Sequence, residues 1–327
     1  MPRLTPRMLR CVFFLFGHTM DGQISKNPDG TGFLVGYHSR DQPHLWHVYA
    51  VSNQHVVVNA PMIRINTKDG GTRLLEYNPD QWTHSKTDDL AVIDVTDELS
   101  FNPETLEWSD DITWVHELDL LRYDEGGGRA YIGDQTIMVG LFADHMGPGT
   151  VNSPVARFGS LAAFAQDGVS VSIGSGDRFA RPAFLNDTRS RTGFSGSPVW
   201  TWYNPDSDIR AWEDSKNPIS SLFSRAKKAP DLCLIGVHRA QFREDAEVIA
   251  GSGNTSLKRG DVVKIASSMT IVVPSWEIKH LIETEVFELQ RKKRDDHQDR
   301  KDASVLYQRL AQAQDTVPLP PSAGSAG

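Results

Sequence analysis

From Cys11 to about Ile271, apolar residues come in short runs broken by glycine, proline, asparagine and aspartate. The clearest are GFLVGY (32–37), WHVYAV (46–51), HVVVNA (55–60), LAVIDV (90–95), TIMVGLF (136–142), VSVSI (169–173), LCLIGVH (232–238) and IVV (271–273). Such runs between turn formers read as β-strands. No helical periodicity lies between them, which predicts a sandwich or barrel rather than an α/β fold. CVFFLF (11–16) reads as the first strand. It is short for a signal-peptide core, and Gly17-His18-Thr19 is a poor cleavage site. The glycine-rich stretch Asp124-Glu125-Gly126-Gly127-Gly128 marks a link between two β-halves.

At Pro274 the period changes. Ser275 suits a helix N-cap, and Ile278, Leu281, Ile282, Val286 and Leu289 recur at helical spacing. The apolar stripe is expected to pack on the second β-half. RKKRDDHQDRKD (291–302) mixes both signs and predicts a solvated helical extension, which Leu306 and Leu310 continue. PLPPSAGSAG (318–327) has the composition of a disordered tail. The expected layout is an N-terminal barrel over 10–125, a C-terminal barrel over 126–273, a helix over 274–313 and a disordered tail over 314–327.

Composition narrows the function classes. Hydrophobic residues at 39% and charged residues at 23% fit a soluble chain with a real core. A net charge of −8 argues against a nucleic-acid partner. No stretch approaches the roughly 20 apolar residues of a membrane span. Cys11 and Cys233 lie in apolar runs and read as reduced, buried thiols. That predicts a cytoplasmic protein, with secretion as the alternative. No cysteine or histidine spacing suggests a metal. His44 and His47, three apart on a strand, face opposite sides. Neither a metal nor a cofactor is expected.

The strongest chemical signal is Thr192-Gly193-Phe194-Ser195-Gly196-Ser197. A serine hydroxyl is a weak nucleophile that needs an adjacent base and a pocket for the developing oxyanion. Glycines beside it let the backbone turn tightly and aim N–H groups, here those of Gly193 and Ser195, into that pocket. His55 stands just after a strand run, and Asp88-Asp89 directly precede another. The chain order His, Asp, Ser matches one of the known serine-protease arrangements.

Taken together, the chain resembles bacterial trypsin-like serine peptidases of the chymotrypsin fold. The likeness runs from about Phe13 to Leu281 and rests on GTGFLV (30–35), SNQHVVV (52–58), TDDLAVIDV (87–95), IGDQTIMVG (132–140), LNDTRSRTGFSGSPVW (185–200) and LIGVH (234–238). It implies an all-β fold of two six-stranded antiparallel barrels, followed by the C-terminal helix. By the same resemblance His55 is the base, Asp89 rather than Asp88 its orienting carboxylate, and Ser195 the nucleophile. Ser52-Asn53-Gln54 departs from the small residues usual before the histidine. His238 falls where similar glutamyl endopeptidases place a histidine that reads a carboxylate. With Arg189 and Arg239 nearby in the pattern, this implies a preference for Glu or Gln before the scissile bond. The implied function is a serine endopeptidase acting on a protein or peptide, with a possible second partner at the C-terminal helix. The alternative is a protease-like binding module that is catalytically silent or needs a partner to become active.

Overall fold

The computed structural model describes residues 4–39, 45–99, 101–102, 107–121, 130–142, 151–166, 168–203, 231–248 and 260–298. The glycine-rich link at 124–128, the residues Leu306 and Leu310, and the low-complexity tail lie outside them.

A short helix α1 (Pro6–Arg10) leads into seven strands: β1 (Val12–Phe16), β2 (Gly30–His38), β3 (Trp46–Ser52), β4 (Met62–Asn66), β5 (Thr72–Leu75), β6 (Thr83–His84) and β7 (Ala91–Asp94). A one-turn helix α2 (Gln54–Val57) follows β3. These strands lie in the order β5-β4-β1-β2-β3-β7-β6. A small ribbon, β8 (Phe101–Asn102) with β9 (Glu107–Trp108), comes next, and then β10 (Val115–His116) pairs parallel to β2.

The second half contains β11 (Gln135–Gly140), β12 (Val155–Ala163), β13 (Phe184–Asp187), β14 (Pro198–Tyr203), β15 (Asp231–Glu247) and β16 (Val262–Pro274). They close into a barrel in the order β11-β12-β13-β16-β15-β14. The fold is therefore all-β and chymotrypsin-like. One difference from the expected pair of barrels is visible. Among the described strands no ladder joins β5 to β6, so the first half is a sheet with free ends.

Side-chain alternation explains why β2, β3 and β11 are apolar on both faces. Leu34, Val48 and Ala50 point into a core inside the first sheet, with Phe13, Ile63 and Trp82. Phe33, Val35, Tyr49 and Val51 point the other way. There they meet Ile137 and Val139 of β11, Leu234 and Val237 of β15, and Val273 of β16 in a core between the halves. Met138 faces inward with Phe184, Val199 and Ile235. A strand buried on both sides reads as a continuous apolar run, as these do. This shared core fixes the two halves against each other at the cleft where the candidate site lies.

Two apolar runs do not form the expected strands. HVVVNA becomes α2 and its following turn, because Asn53 takes the extended N-cap conformation and the chain must turn there to leave β3. VSVSI lies in a loop with a single bridge, Val171 to Arg181.

The C-terminal helix starts at Ser275 as α3 (Ser275–Ile282) and breaks at 283–284, and α4 resumes over 285–298. The break rotates the apolar stripe. Ile278 and Ile282 are buried, but Val286 and Leu289 are exposed and Phe287 takes their place against Tyr49. The helices therefore pack against both halves rather than the second alone.

Candidate active site

The site is built at the ends of strands where the two halves meet. His55 leaves the end of β3 on α2, Asp89 sits just before β7, and Ser195 lies in the turn before β14. β3 and β7 are paired antiparallel, Ser52 against Ala91, which brings the two chain segments side by side. Asp89 then meets His55 twice. Its Oδ1 accepts from the His55 backbone N–H at 3.0 Å, and its Oδ2 lies 2.5 Å from His55 Nδ1. The carboxylate is buried and the imidazole half-exposed. An orienting carboxylate on Nδ1 leaves Nε2 free to take a proton. Asp88, the nearest competitor in sequence, instead accepts from the Thr87 hydroxyl at 2.6 Å.

His55 and Ser195 line one open cavity of about 1010 Å³, together with Thr192, Gly193, His238 and Arg239. Among the described residues Ser195 Oγ makes no hydrogen bond. In unliganded sites such contacts are often long and tighten only when substrate binds. The turn carrying Ser195 depends on glycine. Gly193 and Gly196 have φ of 98° and 86°. A Cβ on Gly196 would come within 1.9 Å of the Thr31 carbonyl oxygen. Among the described residues, the Gly193 and Ser195 N–H groups donate to no backbone carbonyl, so both are available to an oxyanion.

Thr31, deep in β2, anchors this turn from below and was not marked by the sequence pattern. Its N–H donates to the Ser195 carbonyl at 2.9 Å and its hydroxyl to the Gly193 carbonyl at 2.7 Å. The same hydroxyl accepts from the Leu141 N–H at 2.9 Å.

The unusual Ser52-Asn53-Gln54 triplet is used in full. Ser52 Oγ donates to the Thr31 carbonyl at 2.7 Å. Asn53 Nδ2 donates to the Asp89 carbonyl at 2.8 Å. Gln54 Oε1 accepts from Arg178 at 3.1 Å. Larger polar side chains here tie the segment before His55 to β2, to the backbone of Asp89 and to the 171–181 loop.

His238 lies on β15 at the cavity floor, fully buried. Its Nε2 is 2.8 Å from Ser190 Oγ, and Nδ1 has no hydrogen-bond partner among the described residues. Burial, with the charge of His55 adding to it, pushes its pKa down to about 3, so it is neutral at ordinary pH. Ser190, absent from the sequence-based expectation, is thus the group that orients it.

Arg189 is not brought to this cavity. It is exposed and lines a separate depression with Arg157, Phe158 and Ser268. Arg191, two residues on, lines the active-site cavity instead, as do Arg243 and Lys264 from the β15–β16 arms. Arg239 is buried and held by Asp177, so it is not a free cation for substrate. Cys11 and Cys233 are both free and buried, and burial pushes the Cys11 thiol up to about 12.

No family model matches the sequence, and no curated protein matches it. Among solved structures, the chain is similar to the HtrA-type protease AlgW with tripeptide, at 17% identity and a TM-score of 0.42. That likeness covers 84% of this chain and 61% of AlgW. It is also similar to the MamO protease domain from Magnetospirillum magneticum in its apo form, at 13% identity and a TM-score of 0.42. There 85% of this chain and 98% of the other are covered. The fold assignment rests on the closed six-strand barrel, its companion sheet and the cleft between them.

Proposed function

We propose that the chain is a serine endopeptidase that hydrolyses peptide bonds through an acyl-enzyme. The observation that carries this reading is the doubly held His55–Asp89 pair in the same cavity as Ser195. His55 takes the Ser195 hydroxyl proton as Oγ attacks the scissile carbonyl, and Asp89 stabilises the imidazolium that forms. The Gly193 and Ser195 N–H groups receive the oxyanion. His55 returns the proton to the leaving amine, and water then attacks the ester by the reverse path. No step calls for a metal or cofactor.

The preferred residue before the scissile bond is Glu or Gln. This is supported by the polar floor of the cavity, where neutral His238 is oriented by Ser190. It is supported further by Arg191, Arg243 and Lys264 around the rim. The substrate is an extended peptide. Among the described residues, β15 beyond His238 pairs only with β16, which leaves its other edge to receive a strand.

A fluorophosphonate probe tests the chemistry directly. Wild-type protein should be labelled, and Ser195→Ala should lose the label while keeping its melting temperature. Undiminished labelling of Ser195→Ala removes Ser195 as nucleophile, and an unlabelled wild type favours the binding-module alternative. Mass-spectrometric mapping of cleaved bonds then reads the preference for Glu or Gln.

A further inference from the structure

The loop between Val171 and Arg181 is closed at its neck by a β-bridge, and its Ile173 lines the same cavity as His55 and Ser195. Its centre is Asp177, whose carboxylate accepts from the backbone N–H groups of Ile173 at 3.1 Å and Phe179 at 3.0 Å. The same carboxylate is ion-paired with Arg239. Arg239 also donates to the Phe179 carbonyl at 2.8 Å and lies over the Phe179 ring. On its other side, Arg239 Nε is 3.9 Å from Asp89 Oδ2, the oxygen that meets His55 Nδ1. The three charged side chains are all about 5% exposed or less. Next to Asp177 in the loop, Arg178 holds Gln54, the neighbour of His55.

A buried guanidinium is costly unless it is paired and hydrogen-bonded. Here one arginine is hydrogen-bonded to the carboxylate of the loop and lies within ion-pair distance, 3.9 Å, of the carboxylate beside His55. Burial alone would raise Asp177. The two backbone N–H groups and Arg239 outweigh it and hold the carboxyl below its usual range. Arg239 and the two backbone N–H groups together hold an ionised Asp177 in the folded loop.

We propose that Arg239 is a positioning residue that couples the 171–181 loop to the triad, so that the fold of the loop and the orientation of Asp89 toward His55 are set together. The proposal rests on His55–Asp89 being the base pair of the proposed peptidase. It makes the loop a control point. A substrate or partner that presses the loop inward favours the aligned triad, and displacing the loop removes the Asp177 carboxylate and Phe179 carbonyl that hold the Arg239 guanidinium beside Asp89.

Arg239→Gln, Arg239→Lys and Asp177→Asn test this, each first checked for a native-like melting transition. Three readouts apply. They are the low-field proton resonance of His55 Nδ1–H, amide exchange of Ile173 and Phe179, and the rate of fluorophosphonate labelling. Asp177→Asn touches no substrate atom, yet it should shift or broaden the His55 resonance and speed loop exchange. It should also slow labelling by on the order of tenfold to a hundredfold, the scale of a small misplacement of catalytic groups. Arg239→Gln should do the same, and Arg239→Lys, which keeps the charge, should recover part of the loss. Unchanged His55 resonance and labelling in folded Asp177→Asn overturn the coupling. If wild type takes no label but its His55 resonance still responds to Asp177→Asn, the coupling stands and the peptidase reading fails. Should Arg239→Gln not fold, the Asp177→Asn and Arg239→Lys pair still decides.

Discussion

At the scale of single residues, the site turns on which charges the fold neutralises and which it leaves. His238 is buried with its proton removed, and this has a measurable consequence. Its folded pKa, about 3, lies below the unfolded value of 6.5. The unfolded chain therefore binds the proton first, and the stability that neutral His238 contributes is complete above pH 6.5 and lost as pH falls toward 3. The slope is about 1.4 kcal/mol per pH unit, so about 2 kcal/mol should be lost between pH 6.5 and 5. Urea unfolding at the two pH values measures it, and His238→Gln should flatten the dependence. Part of the slope will remain in that variant, because burial holds His47 below its usual value as well. Equal slopes in both proteins would mean that His238 is not neutral in the fold. Ser195 stands in a glycine-bracketed string with its own steric logic, whereas His55 and Asp89 stood out only through their chain order with that serine and through the family resemblance. Asp177 did not stand out, and Arg239 read only as a charge near the cleft, not as a partner of Asp177 or Asp89. Arg239 and Asp177 lie 62 positions apart, and neither has a local pattern that distinguishes it from a surface charge.

At the scale of elements, α4 shows why periodicity alone misplaced the C-terminal segment. The residues 291–298 read as a solvated charge run, yet three of them dock the helix. Asp295 accepts from Ser39 Oγ at 2.9 Å and lies 3.0 Å from Nε2 of fully buried His47. Arg294 reaches Asp94 at 3.0 Å and Asp97 at 2.8 Å. Arg291 donates to the Tyr49 hydroxyl at 2.8 Å. These contacts fall on β3 (His47 and Tyr49) and β7 (Asp94), the strands beside His55 and Asp89, and just past the ends of β2 (Ser39) and β7 (Asp97). Mixed charge thus served as a docking surface, because complementary charges waited on strands far away in the chain. Not all of the contacts weigh equally. Asp295→Ala removes the acceptor of the buried His47 Nε2–H and should cost about 2 kcal/mol. Asp97 is 73% exposed, and Asp97→Ala should cost less than about 1 kcal/mol. Chemical denaturation of the two variants side by side makes the comparison. Costs in the reverse order would show that α4 is held by its rim rather than by the buried network.

At the scale of the whole molecule, the strand pattern was readable because both faces of β2, β3 and β11 are buried, which leaves nearly unbroken apolar runs. The distribution of charge was not readable, since only folding brings the relevant residues together. The chain carries a net charge of −8. Its cavity nevertheless gathers Arg191, Arg243 and Lys264, which make no ion pair among the described residues, against the single carboxylate of Asp29. A protein acidic overall repels an acidic peptide at long range, while a cleft of opposite sign attracts it once it is within a Debye length, about 10 Å at 0.1 M salt. Local attraction should decide the specificity, because the distant charges are screened first. For paired peptides that differ only by Glu or Gln before the scissile bond, kcat/KM should fall with added salt for the Glu peptide and hold for the Gln peptide. Arg243→Glu combined with Lys264→Glu changes two exposed side chains and should leave the fold intact. It should lower kcat/KM for the Glu peptide by about tenfold and for the Gln peptide by no more than about twofold. An equal loss on both peptides would mean that these cations shape the cleft without reading charge, and the acidic preference would then have to come from His238 and Ser190 alone.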